Sequence, residues 1–441
     1  MATPSRATSE EPNIDTPSAK LPWFSQLGEI ASSRFILSVG AQALVSGFHF
    51  GLNWLLLQRM SLFDYGVFAF AFFTLAQFAA AMNNALISTP LTVYTPMVKD
   101  EKERLEKEAM FSLLNVLLFL TLIIVGLGYL WWSGLASNLV LSVTLFVALY
   151  AARQYSRCLG YARLRPLVTA SGDTVYVLVG IIVLAISLYR TPELKVEWVL
   201  VYLSIANLAA MLWERLRLHG SWWRGYDFSQ LKNYSEVWLQ SRWALVGAMT
   251  TLLMAQAHSV LITWVKGPAA FAPLAAGFVL FGPVRVALLT WQNMVKPEIA
   301  VALSNNEHKA VQKQVRRTSI LMSAAVVLLG FLLWLGWPWL HEALYAKKYA
   351  DEPMLFIVIC WSAVAFFSAS YNAPSAALQA LRNFKVLAVS SIYGAIIAFV
   401  FVALLLYWFD PVHTLFGIMA AECFMAIYLM RLVFKQLRSH Q

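Results

Sequence analysis

Twelve apolar stretches, most of them nearly free of charge, limit what this chain can fold into more than any other feature. They run at about 35–58, 66–88, 110–132, 137–158, 167–189, 198–213, 243–265, 270–292, 319–340, 354–376, 386–408 and 414–434. About 20 apolar residues in a helix span the hydrocarbon of a bilayer. Lipid offers backbone amides no partner, so such stretches must satisfy them internally, as helices. The expectation is an all-α polytopic membrane protein with about twelve transmembrane helices. The sixth stretch, WVLVYLSIANLAAMLW, is short. The tenth is interrupted by NAPS, where its helix is expected to bend or unwind. Composition agrees: 13% of the 441 residues are charged, against roughly a quarter in soluble domains.

Charge sets the orientation. Most of the 33 Lys and Arg fall in the connections on the side of the N-terminus, while the opposite connections are short and poor in them. By the positive-inside rule both termini are expected in the cytoplasm. Residues 1–33 are expected to form a disordered and interfacial cytoplasmic N-terminus: the Ser/Thr/Pro/Glu-rich first twenty lack signal-peptide character, and LPWFSQLGEIASSR is expected as a short helix at the membrane surface. Trp131, Trp132, Trp198, Trp213, Trp337, Trp339 and Trp408 mark expected membrane interfaces.

The two halves match. Ser33-Arg34 opens the first stretch and Ser241-Arg242 the seventh, and each following hairpin ends with Asn shortly before Pro (NNALISTP, QNMVKP). This divides the chain into a first lobe at 34–213, a cytoplasmic linker at 214–241, a second lobe at 242–434 and a tail at 435–441. Parallel six-span repeats imply two six-helix lobes around a central cleft.

Polar lines run along the greasy helices. In the first span Gln42, Ser46, His49 and Asn53 share a helical face, and in the second Thr74, Gln77, Asn84 and Ser88 do. Lipid cannot satisfy them, so they face each other, other helices or water. Ser368, Asn372, Ser375 and Gln379 repeat the pattern around Pro374. A wet seam of this kind suits a polar solute crossing a membrane, and ordinary interhelical hydrogen bonding accounts for any single member equally simply.

Intramembrane charges are few: Asp173, Arg285 and Glu422 at depth, with Arg153 and Arg157 near the inner end of span four. Each costs about 2.5–3.5 kcal/mol at the centre of a lone helix and so needs a partner or water. Arg285 follows Gly282 and Pro283, and Gln292 and Lys296 continue its face toward the cytoplasm. It reads as an anion-binding arginine, since guanidinium forks match phosphate oxygens, or as the ion-pair partner of Asp173. Asp173 neutralises Arg153, Arg157 or Arg285, or binds a coupling proton or sodium ion; Glu422 is a second ion-coupling candidate. His49 and His258 read as buried neutral histidines, with a titrating gate as the alternative.

Enzyme signatures are missing. There is no Walker loop, no nucleophile with a base beside it in sequence, and no cofactor motif. Cys158, Cys360 and Cys423 have neither disulfide-framework nor metal-ligand spacing. The net charge of +10 comes without a basic, aromatic-interleaved stripe, which argues against nucleic acid.

The first hairpin, GAQALVSGFHFGLNWLLLQRMSLFDYGVFAFAFF with its Tyr65-Gly66 pair, resembles the opening of bacterial polysaccharide flippases. NNALISTPLTVYTP is similar to the polysaccharide biosynthesis branch of the same multidrug/oligosaccharidyl-lipid/polysaccharide exporter superfamily. The resemblance implies two six-helix lobes around a V-shaped, alternately opening cleft. It implies a cargo of undecaprenyl-pyrophosphate-linked oligosaccharide, for O-antigen, capsule or exopolysaccharide. Lipid II flippases carry cleft arginines, which suggests that role for Arg285, helped by Arg153, Arg157 and Arg242. His49 stands where those relatives carry basic residues, and their two extra spans are missing. The cleft is then expected to use Arg285, Gln42, His49, Asn53, Gln77, Asn84, Arg153, Arg157 and Asn372. Membrane lipids and other polysaccharide-assembly proteins are the expected partners. An ion-coupled multidrug exporter of the same superfamily is the alternative, and a membrane glycan polymerase or ligase a more distant one. The exporter would favour carboxylates and aromatic rings that take up cations.

Overall fold

A computed structural model describes residues 22–95, 98, 100–133, 136–190, 193–218, 228–284, 288, 299, 302–303, 307–381 and 383–439, with 22–39 as backbone only. The described residues are helical and contain no strand. The first six long helices are α1 (Pro22–Arg59), α2 (Leu62–Tyr94), α3 (Glu101–Ser133), α4 (Ser137–Ala162), α5 (Pro166–Arg190) and α6 (Val196–Leu218). The second six are α7 (Tyr234–Val265), α8 (Pro268–Val279), α9 (His308–Leu335), α10 (Met354–Ala380), α11 (Phe384–Trp408) and α12 (Thr414–Ser439). Ten of the twelve apolar stretches lie inside one of these helices, and the ninth, 319–340, runs on from α9 past Gly336 into the short helix Trp337–Leu340. The eighth begins in α8, and its later part, with Arg285 and Gln292, lies outside the described residues, as does Lys296.

Helix pairing repeats at an interval of six. In the first half α1 packs on α5, α2 and α3 on α4, and α4 and α5 on α6. In the second half α7 packs on α11, α8 and α9 on α10, and α10 and α11 on α12. Two lobes of the same topology result, as the matched hairpins anticipated. Lobe meets lobe chiefly through α2, which packs on α8 and α7.

At Pro374 the unwinding alternative does not occur, and at α6 the expected helix end is corrected. Helix α10 runs through Pro374 without unwinding. Ring closure removes a single amide donor, the one that would bond the Ser370 carbonyl, and the helix continues on both sides of it. Helix α6 continues past its apolar window to Leu218, burying Glu214 and Arg215 that had been assigned to the linker. Helix α2, by contrast, contains two π-turns, Phe70–Leu75 and Asn84–Ser88. Such turns occur frequently at functional sites because they re-aim the side chains that follow.

Most of the expected interfacial tryptophans are exposed, Trp131, Trp132, Trp198, Trp339 and Trp408 among them. Two serve the interior instead. The indole N–H of Trp213 donates to the Ser171 hydroxyl, and Trp337 stacks on Tyr345.

At the end opposite the chain termini the lobes are sealed. A Cβ on Gly66 of α2 would lie 2.0 Å from the carbonyl oxygen of Pro268, which opens α8. Beside this contact the Lys348 ammonium donates to the Met60 carbonyl, and the Gln58 amide donates to the Ala343 carbonyl at 3.1 Å. Both bonds join the α1–α2 turn region to the segment between α9 and α10.

Candidate functional site

Among the described residues, two polar centres within the helices hold most of the candidate site residues. One is inside the first lobe, and the other is a cavity between the lobes.

The first-lobe centre is built on Asp173 of α5. One of its carboxylate oxygens accepts from Arg153 of α4, and the other accepts from Arg157 one turn further on, at 3.0 Å. Four residues on a helix bring side chains to the same face, so α4 presents both guanidinium groups together. Arg153 also lies 4.3 Å above the ring of Tyr176, one turn beyond Asp173. The Tyr176 hydroxyl bonds the Nε2 atom of His49 at 2.9 Å, and Arg157 reaches Gln42 at 3.4 Å. The polar line of α1 therefore faces α4 and α5. Asn53, its buried last member, donates to the His49 carbonyl and accepts from Tyr65.

The sequence reading missed Glu214, which is 1% exposed. Neither of its carboxylate oxygens has a hydrogen-bond partner. A Cβ on Gly172 would lie 2.3 Å from one of those oxygens, so only glycine leaves room for the carboxyl group there. The available signal was the ERLR run continuing a too-short apolar window, beside a glycine that precedes Asp173. Arg215 is turned away from this centre: it donates to Ser156 and Ser112 and lies over the Tyr155 ring.

The interlobe cavity has a volume of about 170 Å³. From the first lobe α2 contributes Phe73 and Gln77; from the second, α7 contributes Gln256 and His258, α10 Trp361 and Ser368, and α12 Glu422. Phe271 and Phe278 of α8 complete an aromatic wall. His258 packs against Trp361 and Phe271, with ring centroids 5.3 and 5.8 Å apart. Glu422 is 4% exposed. Its carboxyl group lies beside the Tyr371 hydroxyl, and its Oε2 atom is buried without a partner. Among the described residues no His/Cys/Asp/Glu group suits a metal ion.

The polar line of α2 does not face that of α1. Thr74 bonds Ser259 of α7 at 2.8 Å and donates to Gln256 at 3.2 Å. Gln77 donates to Tyr150 of α4 at 3.4 Å. Further along, Asn84 is exposed and accepts from Thr89, while its neighbour Asn83 is wholly buried and bonds Asn115 and Ser88. The second π-turn causes this exchange, because it sets side chains five residues apart beside each other instead of four. Asn372 stands one turn beyond the cavity-lining Ser368 on α10.

No protein-family model matches the sequence, and no curated protein sequence does. Solved structures do match in fold. An inward-facing multidrug resistance MATE family transporter of the MOP superfamily superposes with a TM-score of 0.58 at 13% identity, over 92% of this chain and 95% of its own. An outward-facing structure of such a transporter gives 0.57 at 13% identity, over 93% and 94%. A eukaryotic MATE transporter gives 0.61 at 13% identity, over 93% and 98%. The chain thus has the fold of MATE transporters over nearly its whole length.

Proposed function

We propose that this protein is an alternating-access membrane transporter, and that its cargo is a small amphipathic organic cation held in the interlobe cavity. The observation that carries this reading is Glu422. A buried carboxylate oxygen without a donor is costly in a low dielectric, and the Glu422 side chain lines the same cavity as Phe73, Phe271, Phe278 and Trp361. A carboxylate with aromatic faces is the combination that recognises a desolvated cation. The neighbours in fold include inward- and outward-facing forms, which supports alternation between lobe arrangements. Exchange of the cargo for a proton at Glu422 would supply the coupling.

One observation favours a second reading, the flipping of lipid-linked oligosaccharide. Arg157 keeps 19% of its side chain exposed beside Gln42, where an anionic headgroup would find a guanidinium. Asp173 already occupies both arginines, so the cation reading stands first.

Equilibrium binding tests it. Purified protein is expected to bind benzyltrimethylammonium, whose charge does not change with pH, and Glu422→Gln is expected to weaken that binding about tenfold or more. The estimate follows from about 1.5–3 kcal/mol for a charge-assisted contact. Unchanged affinity in a well-folded Glu422→Gln protein would remove the carboxylate from the site.

A further inference from the structure

The cavity holds one glutamine from each lobe, and the two amides are fixed in opposite senses. On α2 the Gln77 nitrogen donates to the Phe72 carbonyl at 3.5 Å and to the Tyr150 hydroxyl at 3.4 Å. Its nitrogen is thereby tied to the first lobe, which leaves its carbonyl oxygen as the end toward the cavity it lines. The 72-to-77 spacing is that of the π-turn at Phe70–Leu75, so this backbone device sets the orientation of Gln77.

On α7 the arrangement is reversed. The Gln256 oxygen lies 3.2 Å from the Thr74 hydroxyl and 3.1 Å from the Ser259 hydroxyl; Thr74 donates to it, while Ser259 donates to Thr74 or to the Gln256 main-chain carbonyl at 2.9 Å. Ser259 and Thr74 are themselves bonded and wholly buried. The oxygen is thereby tied back, and the amide NH2 is the end left toward the cavity that Gln256 lines. One lobe offers an acceptor and the other a donor, at a site whose charge is supplied separately by Glu422.

We propose that the cargo carries, besides its cationic centre, a group with both a hydrogen-bond donor and an acceptor, of the carboxamide type, bound between Gln77 and Gln256. This rests on the cation-transporter reading and narrows it. Thr74 and Ser259 act as positioning residues, since they hold the Gln256 amide without lining the cavity. Bonding to both lobes at once also gives the cargo a differential affinity for the arrangement that brings them together. That is the only way a ligand shifts a conformational equilibrium.

A matched pair of quaternary cations tests the proposal: benzyltrimethylammonium and its 4-carbamoyl derivative. They share charge and ring and differ by one carboxamide. The wild-type protein is expected to bind the carbamoyl compound on the order of fivefold to tenfold more tightly, the worth of one or two net hydrogen bonds. In Gln77→Leu and in Gln256→Leu the ratio of the two affinities is expected to fall toward one. In Glu422→Gln both affinities fall and the ratio persists. In Thr74→Val the ratio is expected to shrink, because the Gln256 oxygen loses its Thr74 donor. Equal binding of the two compounds by the wild type overturns the proposal, and that outcome needs no variant to fold. So does a ratio that survives both leucine substitutions. If the wild type binds neither cation, the transport reading itself falls and this inference falls with it.

Discussion

Asp173→Ala is expected to lower the stability of the purified protein by about 3–5 kcal/mol, the cost of breaking a buried ion pair from one side. Asp173 is wholly buried, and it is held between Arg153, almost as deeply buried, and Arg157. Removing the carboxylate leaves two guanidinium groups facing each other in a helix bundle. The same reasoning gives a rescue. Replacing all three by apolar residues of similar size, Arg153→Met, Asp173→Leu and Arg157→Met, removes the charges with their desolvation penalty and is expected to recover most of the loss. Thermal unfolding in detergent reads both. A normal melting midpoint for Asp173→Ala would show that the pairing does not hold the lobe, and would return Asp173 to the set of free ion-coupling carboxylates.

The second large effect comes from the smallest change, Gly66→Ala. In a helix interior this substitution ordinarily helps, by about 1 kcal/mol. At Gly66 the new Cβ would lie 2.0 Å from the Pro268 carbonyl oxygen and 2.5 Å from its carbon. Those atoms belong to the first turn of α8 and have no side-chain freedom with which to yield. The lobes must separate there, at an expected cost of about 1–3 kcal/mol, as in other overpacked interiors. The seal made by Lys348 on Met60 and Gln58 on Ala343 should loosen with it. Gly128→Ala is the control, because nothing lies within 4 Å of its Cβ position. Opposite signs for the two substitutions are the result to look for, measured as melting midpoints. A stabilised Gly66→Ala protein would mean that α2 and α8 do not meet as described.

Much of the architecture is legible in the sequence. Apolar length alone placed the helices, because in lipid the backbone has no other way to satisfy its amides. The repeat was legible from two short matches, Ser-Arg openings and Asn-before-Pro endings, and the pairing of helices follows it. The candidate sites were less legible. Asp173, Arg153 and Arg157 were recognisable as charges in need of partners, yet periodicity could not choose among the possible pairs. Glu214 was hidden because hydropathy ends a helix where charges begin, whereas here a glycine on the neighbouring helix makes room for one. Asn83 and Asn84 were exchanged because a π-turn changes the helical repeat, and no residue type announces one. The cavity was beyond reach for a different reason. Its walls come from α2, α7, α8, α10 and α12, and no single stretch of sequence carries its chemistry.

The central claim, that a cation crosses the membrane through the cavity beside Glu422, is tested most directly by uptake in proteoliposomes. Vesicles containing the wild-type protein and preloaded with unlabelled benzyltrimethylammonium are placed in a trace of the radiolabelled compound. Time-dependent accumulation of label by the wild type, absent from Glu422→Gln vesicles and from empty ones, is the predicted result. No accumulation by the wild type, with lipid-linked oligosaccharide crossing the same vesicles instead, would contradict the claim and return the first lobe's arginines to the centre of the mechanism.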